Sequence, residues 1–240
     1  MENVVIISGI SKGLGFNIAK RLLSSGWKVS GFSRKKSKGI RDLEKEYKHS
    51  FLFYSLDIKN HKKIDKFLIK TKKLGKIYGL INNAGSVNEN LLVRQSEKDI
   101  NDLIETNLIG PIILTQKTIK FMMINNIGRI INISSIVAKS GYKGTVAYSA
   151  AKSGMEGATK SLARELGKRN ITVNSVAPGY MKTDLTKKMD PKKLEQIIRR
   201  TPLGRPGDVK DVIGVVNFLL TKEASFISGQ SILVDGGLLS

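Results

Sequence analysis

Four consecutive aliphatic residues, Val4 to Ile7, stand near the start of the chain and are closed by Ser8-Gly9. An apolar run this short, bounded by turn residues, reads as a buried strand. The period then changes. Over residues 16–23 the apolar positions fall three and four apart, which predicts an amphipathic helix ending at Gly26. Further strand-like runs cover residues 28–33, 51–55, 78–81, 129–133, 172–176 and 231–234. Helical spacing covers residues 40–47, 64–73, 107–125, 147–168 and 208–220, and Pro111 interrupts the third of these early in its course. Strands alternating with helices of this length form βαβ units on a parallel sheet. Such crossovers are right-handed, so the expected fold is α/β: a doubly wound parallel sheet of about seven strands with helices on both faces.

At 240 residues the chain can bury one large core, and it shows no internal repeat, low-complexity segment or interdomain linker. Residues 1–240 are therefore expected to form a single domain. The weakest patterning lies at residues 183–200, TDLTKKMDPKKLEQIIRR, which is polar, lysine-rich and of helical potential. Its place between two well-patterned elements suits a substrate lid; an ordinary surface helix is the other reading. The absence of cysteine excludes a disulfide framework, a thiolate nucleophile and a cysteine-based metal site. No motif recruits His49 or His61, and no metal site is expected. No apolar run approaches the ~18 residues that span a bilayer. The first ten residues, MENVVIISGI, lack a signal-peptide pattern, so a cytoplasmic protein is expected.

Charge changes the picture more than composition does. Lys and Arg number 41 against 20 Asp and Glu, a net charge of +21. One reading is an anionic partner, nucleic acid included. The other is lysines scattered over solvated faces. The clusters around Lys35, Lys62, Lys72, Lys187 and Lys192 fall in separate expected loops and helix ends, without interleaved aromatics. No recognition helix or stacking motif accompanies them, which speaks against nucleic acid. A basic surface would still attract an acidic substrate carrier or a phosphorylated cofactor.

After the first strand comes Gly9-x3-Gly13-x-Gly15, leading into a helix. Bare backbone in such a turn admits a close ligand, and the helix N-terminus offers unpaired N–H groups and a positive dipole end. Gly9, Ser11, Lys12, Gly13, Leu14 and Gly15 are thus candidate contacts to a dinucleotide pyrophosphate. The second strand ends Ser33-Arg34-Lys35-Lys36 and offers no carboxylate for a ribose 2′-hydroxyl. Arg34 can instead hold a 2′-phosphate through charge-assisted hydrogen bonds, which makes NADP(H) the expected cofactor.

A second constellation is S-x12-Y-x3-K: Ser135, Tyr148 and Lys152. The Y-x3-K step is about one helical turn, so Tyr148 and Lys152 share a face. A nearby ammonium favours phenolate and would lower the tyrosine pKa toward the working pH, as proton transfer requires. Ser135 ends the fifth strand, at the sheet edge where open α/β folds bind ligands. Ser134 is its neighbouring competitor.

These motifs together resemble the short-chain dehydrogenases/reductases, in their single-domain, Rossmann-type form. Further stretches carry the resemblance: Asn82-Asn83-Ala84-Gly85 after the fourth strand, Asp57-Ile58, Asn107 in Glu105-Thr106-Asn107-Leu108, Pro178-Gly179 with Thr183, Ser228-Gly229-Gln230, and Val234-Asp235-Gly236-Gly237. The resemblance implies that Asn83, Ala84 and Gly85 line the cofactor site and that Asp57 and Ile58 border the adenine. It places Pro178, Gly179 and Thr183 at the nicotinamide carboxamide, and a basic residue at Lys12 goes with NADP. Tyr148 would donate a proton to a substrate carbonyl, Ser135 would bind the same oxygen, and Lys152 would lower the tyrosine pKa and hold the nicotinamide ribose. Asn107 would anchor a water chain that resupplies the proton.

End to end the chain is most similar to the 3-oxoacyl-acyl-carrier-protein reductases, loosest at residues 141–147. That similarity implies an acidic acyl carrier protein as partner and a homotetramer built on the helices at 107–125 and 147–168 and the last strand. Basic residues beside the active-site entrance dock the carrier in that group; Arg169 matches one position, and Asn126 stands where another is common. Two other readings stay open: the same chemistry on a free ketone, sugar, polyol or secondary-metabolite substrate, and a non-catalytic dinucleotide- or nucleic-acid-binding protein.

Overall fold

The computed structural model of the protein describes residues 2–181 and 191–239. The first half of the chain forms β1 (Asn3–Ser8), α1 (Gly13–Ser24), β2 (Lys28–Ser33), α2 (Lys38–Glu46), β3 (Phe51–Ser55), α3 (His61–Lys72) and β4 (Lys76–Asn82). The second half forms α4 (Glu97–Ile104), a π-helical stretch (Glu105–Ile109), α5 (Gly110–Asn125), β5 (Gly128–Ile133), α6 (Val137–Ser140), α7 (Val146–Leu166), β6 (Ile171–Pro178), α8 (Pro191–Arg200), α9 (Val209–Leu220) and β7 (Ser231–Val234). The strands pair in the order β3-β2-β1-β4-β5-β6-β7, and every pairing is parallel. Two windings diverge from β1 and β4, as a doubly wound sheet requires.

Both faces of the sheet are covered, which explains why its central strands are continuously apolar. One core packs α1, α2 and α9 on one face through Ile18, Leu22, Ile40, Val212 and Val216. The other packs α3, α5 and α7 on the opposite face through Ile64, Phe67, Leu114 and Leu166. Each such side chain contributes roughly 1.5–3 kcal/mol of burial.

The structure departs from the sequence expectation in its middle third. The element expected at 107–125 divides into the π stretch and α5, and α4 precedes them. Pro111 stands in the first turn of α5, directly after the π stretch, so the helical geometry changes just ahead of it. α4 escapes the periodicity because only Leu103 of its residues is buried, and its start is fixed instead by a capping box between Ser96 and Asp99. Of the candidate lid at 183–200, residues 191–200 form α8; residues 183–190, with Thr183, lie outside the described residues.

A polar ladder crosses the sheet and fixes α7 upon it. Asn82 Nδ2 donates to Thr115 Oγ1 at 2.9 Å and to Asn132 Oδ1 at 2.8 Å. Asn132 Nδ2 donates to Thr159 Oγ1 at 2.8 Å, and that hydroxyl stands 2.8 Å from Ser175 Oγ. Strands β4, β5 and β6 thereby hold α7 in rotational register, and α7 carries Tyr148 and Lys152.

Candidate active site

Because all strands run the same way, the turn after β1 and the loops after β2, β4, β5 and β6 meet at one sheet edge. The glycine turn is braced from β4. The Ser8 hydroxyl accepts the N–H of Asn83 at 3.0 Å and of Ala84 at 2.9 Å, and Asn83 Nδ2 donates to the carbonyls of Ser8 and Gly9, each at 3.0 Å. A Cβ at Gly15 would lie 2.4 Å from Asn83 Nδ2 and 2.5 Å from the Gly9 oxygen, so the turn closes on this bracket only without one. Gly13 is different: its φ is +61°, and a Cβ there would meet nothing within 4 Å. Open space at that residue, beside the free N–H groups of α1, is where a pyrophosphate fits. The first turn of α1 carries no acidic residue to repel it, and Lys12, exposed and extended, stands at the N-cap.

Arg34 follows β2 at the rim of a hollow of about 290 Å³ lined by Ser55, Leu56, Asp57, Asn60, Lys63 and Arg34 itself. Asp57 Oδ1 accepts the N–H of Lys59 at 3.0 Å, while Ile58 is buried against Gly110. Two cations, Arg34 and Lys63, in one hollow suit a 2′-phosphate. The residues therefore fit NADP(H), with Arg34 and Lys63 at this hollow. A larger hollow, about 400 Å³, opens beside Glu2, Lys28, Lys72 and Lys76 at the other sheet edge, away from Ser135, Tyr148 and Lys152. At the end of β6, the Pro178 carbonyl accepts the Ile136 N–H at 3.1 Å and Gly179 N–H donates to Val234 at 2.9 Å, which sets Gly179 next to the loop after β5.

Ser135 and Tyr148 are brought together: the Ser135 hydroxyl lies close enough to act on the Tyr148 phenol and lower its pKa. Lys152 lies below, its Nζ donating to the Ile133 carbonyl at 2.7 Å and standing 5.7 Å from the centroid of the Tyr148 ring. Asn107 joins them from the π stretch, a distortion that often marks functional helices. Its Nδ2 donates to Ser86 and Leu103 carbonyls, both at 2.9 Å. Gly85 bridges the two, since a Cβ there would lie 2.7 Å from Asn107 Oδ1 and 3.7 Å from Lys152 Nζ.

The electrostatics correct one expectation. Lys152 was expected to lower the tyrosine pKa, yet burial raises the Tyr148 pKa, with the Ser135 hydroxyl lowering it by less. Burial also brings Lys152 down to about 8. The ammonium is engaged by the Ile133 carbonyl, and desolvation governs both groups.

Ser134 is excluded as the reactive hydroxyl by its own partner. It is buried and donates to Glu156 Oε1 at 3.0 Å, leaving Ser135 for the open edge. Glu156 also accepts from Ser231 Oγ at 2.7 Å and from Lys139 Nζ at 3.2 Å. Sequence reasoning missed this carboxylate, although its signal was present: Glu156 continues the Tyr148–Lys152 face by one more helical turn. A second correction concerns Arg169. It precedes β6, whereas Ser135 follows β5, so in a parallel sheet the two lie at opposite edges, and Arg169 is not beside the entrance of its own chain.

With this geometry in place, comparison with known proteins is decisive. A family model described as enoyl-(acyl carrier protein) reductase matches residues 9–239. The 3-oxoacyl-[acyl-carrier-protein] reductase FabG of Rickettsia felis is 40% identical over 236 residues, 98% of this chain and 95% of that protein. The chain belongs to the short-chain dehydrogenase/reductase family. FabG of Vibrio cholerae is 36% identical, with coverage of 98% and 96%. Among solved structures, a putative short-chain alcohol dehydrogenase from Sinorhizobium meliloti superposes with a TM-score of 0.92 at 29% identity, covering 99% of this chain and 96% of that one. A putative gluconate dehydrogenase from Agrobacterium tumefaciens also gives 0.92, at 25% identity and with coverage of 99% and 96%. As a short-chain dehydrogenase/reductase, the protein is an oxidoreductase acting on CH–OH groups. Among the described residues, no helix is long and apolar enough to cross a membrane.

Proposed function

We propose that this chain is an NADPH-dependent reductase that converts a 3-oxoacyl group, carried on an acyl carrier protein, to the 3-hydroxyacyl product. The observation that carries the reading is the meeting of Ser135 and Tyr148 at the open sheet edge, with Lys152 buried beneath them. Bound NADPH supplies the hydride. Tyr148, protonated at neutral pH, gives its proton to the carbonyl oxygen. Ser135 donates to the same oxygen and stabilises the alkoxide charge that develops there. In this reading Lys152 holds the nicotinamide ribose, Asn107 anchors the water that restores the tyrosine proton, and Thr183 meets the carboxamide. The net charge of +21 suits an acidic carrier, and the family resemblance supports a cytoplasmic homotetramer.

The test is NADPH oxidation with a 3-oxoacyl thioester, free and carrier-linked. Tyr148→Phe should cut turnover by at least ~100-fold while NADPH affinity stays within about twofold; surviving activity would remove Tyr148 from the mechanism. Replacing Lys12 and Arg34 together by Ala should lower the NADPH-over-NADH preference by at least ~10-fold, read from kcat/KM with each cofactor. An unchanged preference would show that the 2′-phosphate is held elsewhere. A second reading, a free ketone as substrate, draws on the loop between Ser135 and Tyr148, where the resemblance to the carrier-dependent enzymes is loosest. Turnover confined to free ketones would select it.

A further inference from the structure

We propose that Tyr142 and Tyr180 form a phenol pair that closes across the substrate mouth and limits the width of the ketone admitted, passing unbranched acyclic chains and rejecting fused rings. This rests on the ketoreductase reading and deepens it. Tyr142 lies in the chain between Ser135 and Tyr148, and Tyr180 follows Pro178-Gly179, whose proline carbonyl is bonded to the residue after Ser135. The two rings meet edge to face with centroids 6.4 Å apart, and the Tyr142 hydroxyl acts on Tyr180 as a neighbour that raises its pKa. The loops after β5 and β6, which flank the reacting groups, are thus joined by these two rings as well as by the Ile136–Pro178 backbone bond.

Both backbones are fixed. The Tyr142 carbonyl accepts the Thr145 N–H at 3.1 Å and the Thr145 hydroxyl at 2.8 Å. The Gly144 carbonyl accepts the Asn90 N–H at 3.0 Å, stitching this turn to the loop after β4, and Tyr180 accepts the Gly207 N–H at 2.8 Å. The mouth therefore widens by turning a ring out of the edge-to-face contact. Burial, the neighbouring Tyr142 and the Glu89 carboxylate push Tyr180 up to about 12, so its hydroxyl stays protonated over the working range. Tyr142 is 45% exposed, which puts the pair at the rim rather than in the core.

The test compares kcat/KM for an acetoacetyl thioester and for trans-1-decalone, a fused bicyclic ketone, at saturating NADPH. Tyr142→Ala should raise the decalone-to-thioester ratio by ~10-fold or more, and Tyr142→Phe and Tyr180→Phe, which keep the rings and lose the hydroxyls, by a few-fold. NADPH affinity should not change. A ratio within twofold of wild type in all three variants overturns the pair as a width limit while leaving the ketoreductase reading intact. A wild type that reduces neither compound removes that reading and this one with it. Should the alanine variant melt below the assay temperature, the two phenylalanine variants decide.

Discussion

Tyr148, Lys152 and Glu156 stand at successive turns of α7, and each is put to a different use. The tyrosine faces the open edge, the lysine is buried against the Ile133 carbonyl, and the glutamate holds Ser134, Lys139 and Ser231 together. Burying Lys152 costs stability wherever it must stay charged. Its folded pKa of about 8 lies below the ordinary 10.5, so between these values the unfolded chain binds more protons than the folded one. Stability from this group therefore rises with pH across that window, and the penalty is complete below about pH 8, on the order of 3 kcal/mol. We expect Lys152→Met, inactive as a reductase, to be most stable relative to wild type at and below pH 8 and to lose that advantage toward pH 10. Denaturant melts of both proteins at pH 7 and pH 10 check this; a difference independent of pH would show that Lys152 is not desolvated as described.

At the scale of elements, the footing of α7 decides whether these side chains meet. Asn132 is buried and central to the ladder from Asn82 to Thr159, and its removal leaves donors and acceptors unpaired inside the sheet. Asn132→Ala should cost about 2–4 kcal/mol of stability and lower kcat more than it raises KM, because it loosens the helix that carries Tyr148. Chemical denaturation with steady-state kinetics reads both; an unchanged kcat would detach the ladder from the chemistry. The elements around this footing were legible to different degrees. Strands β1, β4 and β5 announce themselves as apolar runs because both their faces are covered. The Y-x3-K step was legible because helical geometry alone brings its two side chains to one face. α4 was not, since a helix with one buried residue has almost no hydrophobic period. The π stretch holding Asn107 was equally hidden: it depends on how α4 and α5 join, which local residue types do not record. Glu156 reads as a solvated charge until the fold supplies Ser231 from another element.

The whole molecule sets chemistry and charge on different footings. The chemistry is gathered at one sheet edge by topology, whereas the charge of +21 belongs to the surface at large. If that charge draws in an acidic carrier, the KM for a carrier-linked 3-oxoacyl substrate should climb several-fold between about 50 and 200 mM salt, while the KM for the free thioester stays flat. Parallel salt dependence in the two would place the effect on the cofactor rather than the carrier.

The position of Arg169 then acquires a meaning in terms of tether length. β6 runs from Ile171 to Pro178, about 25 Å of strand between this arginine and the edge where Ser135 lies. Cargo held on a swinging arm and moored at Arg169 would hang on the wrong side of its own chain, so a mooring there makes sense only for delivery to a neighbouring copy.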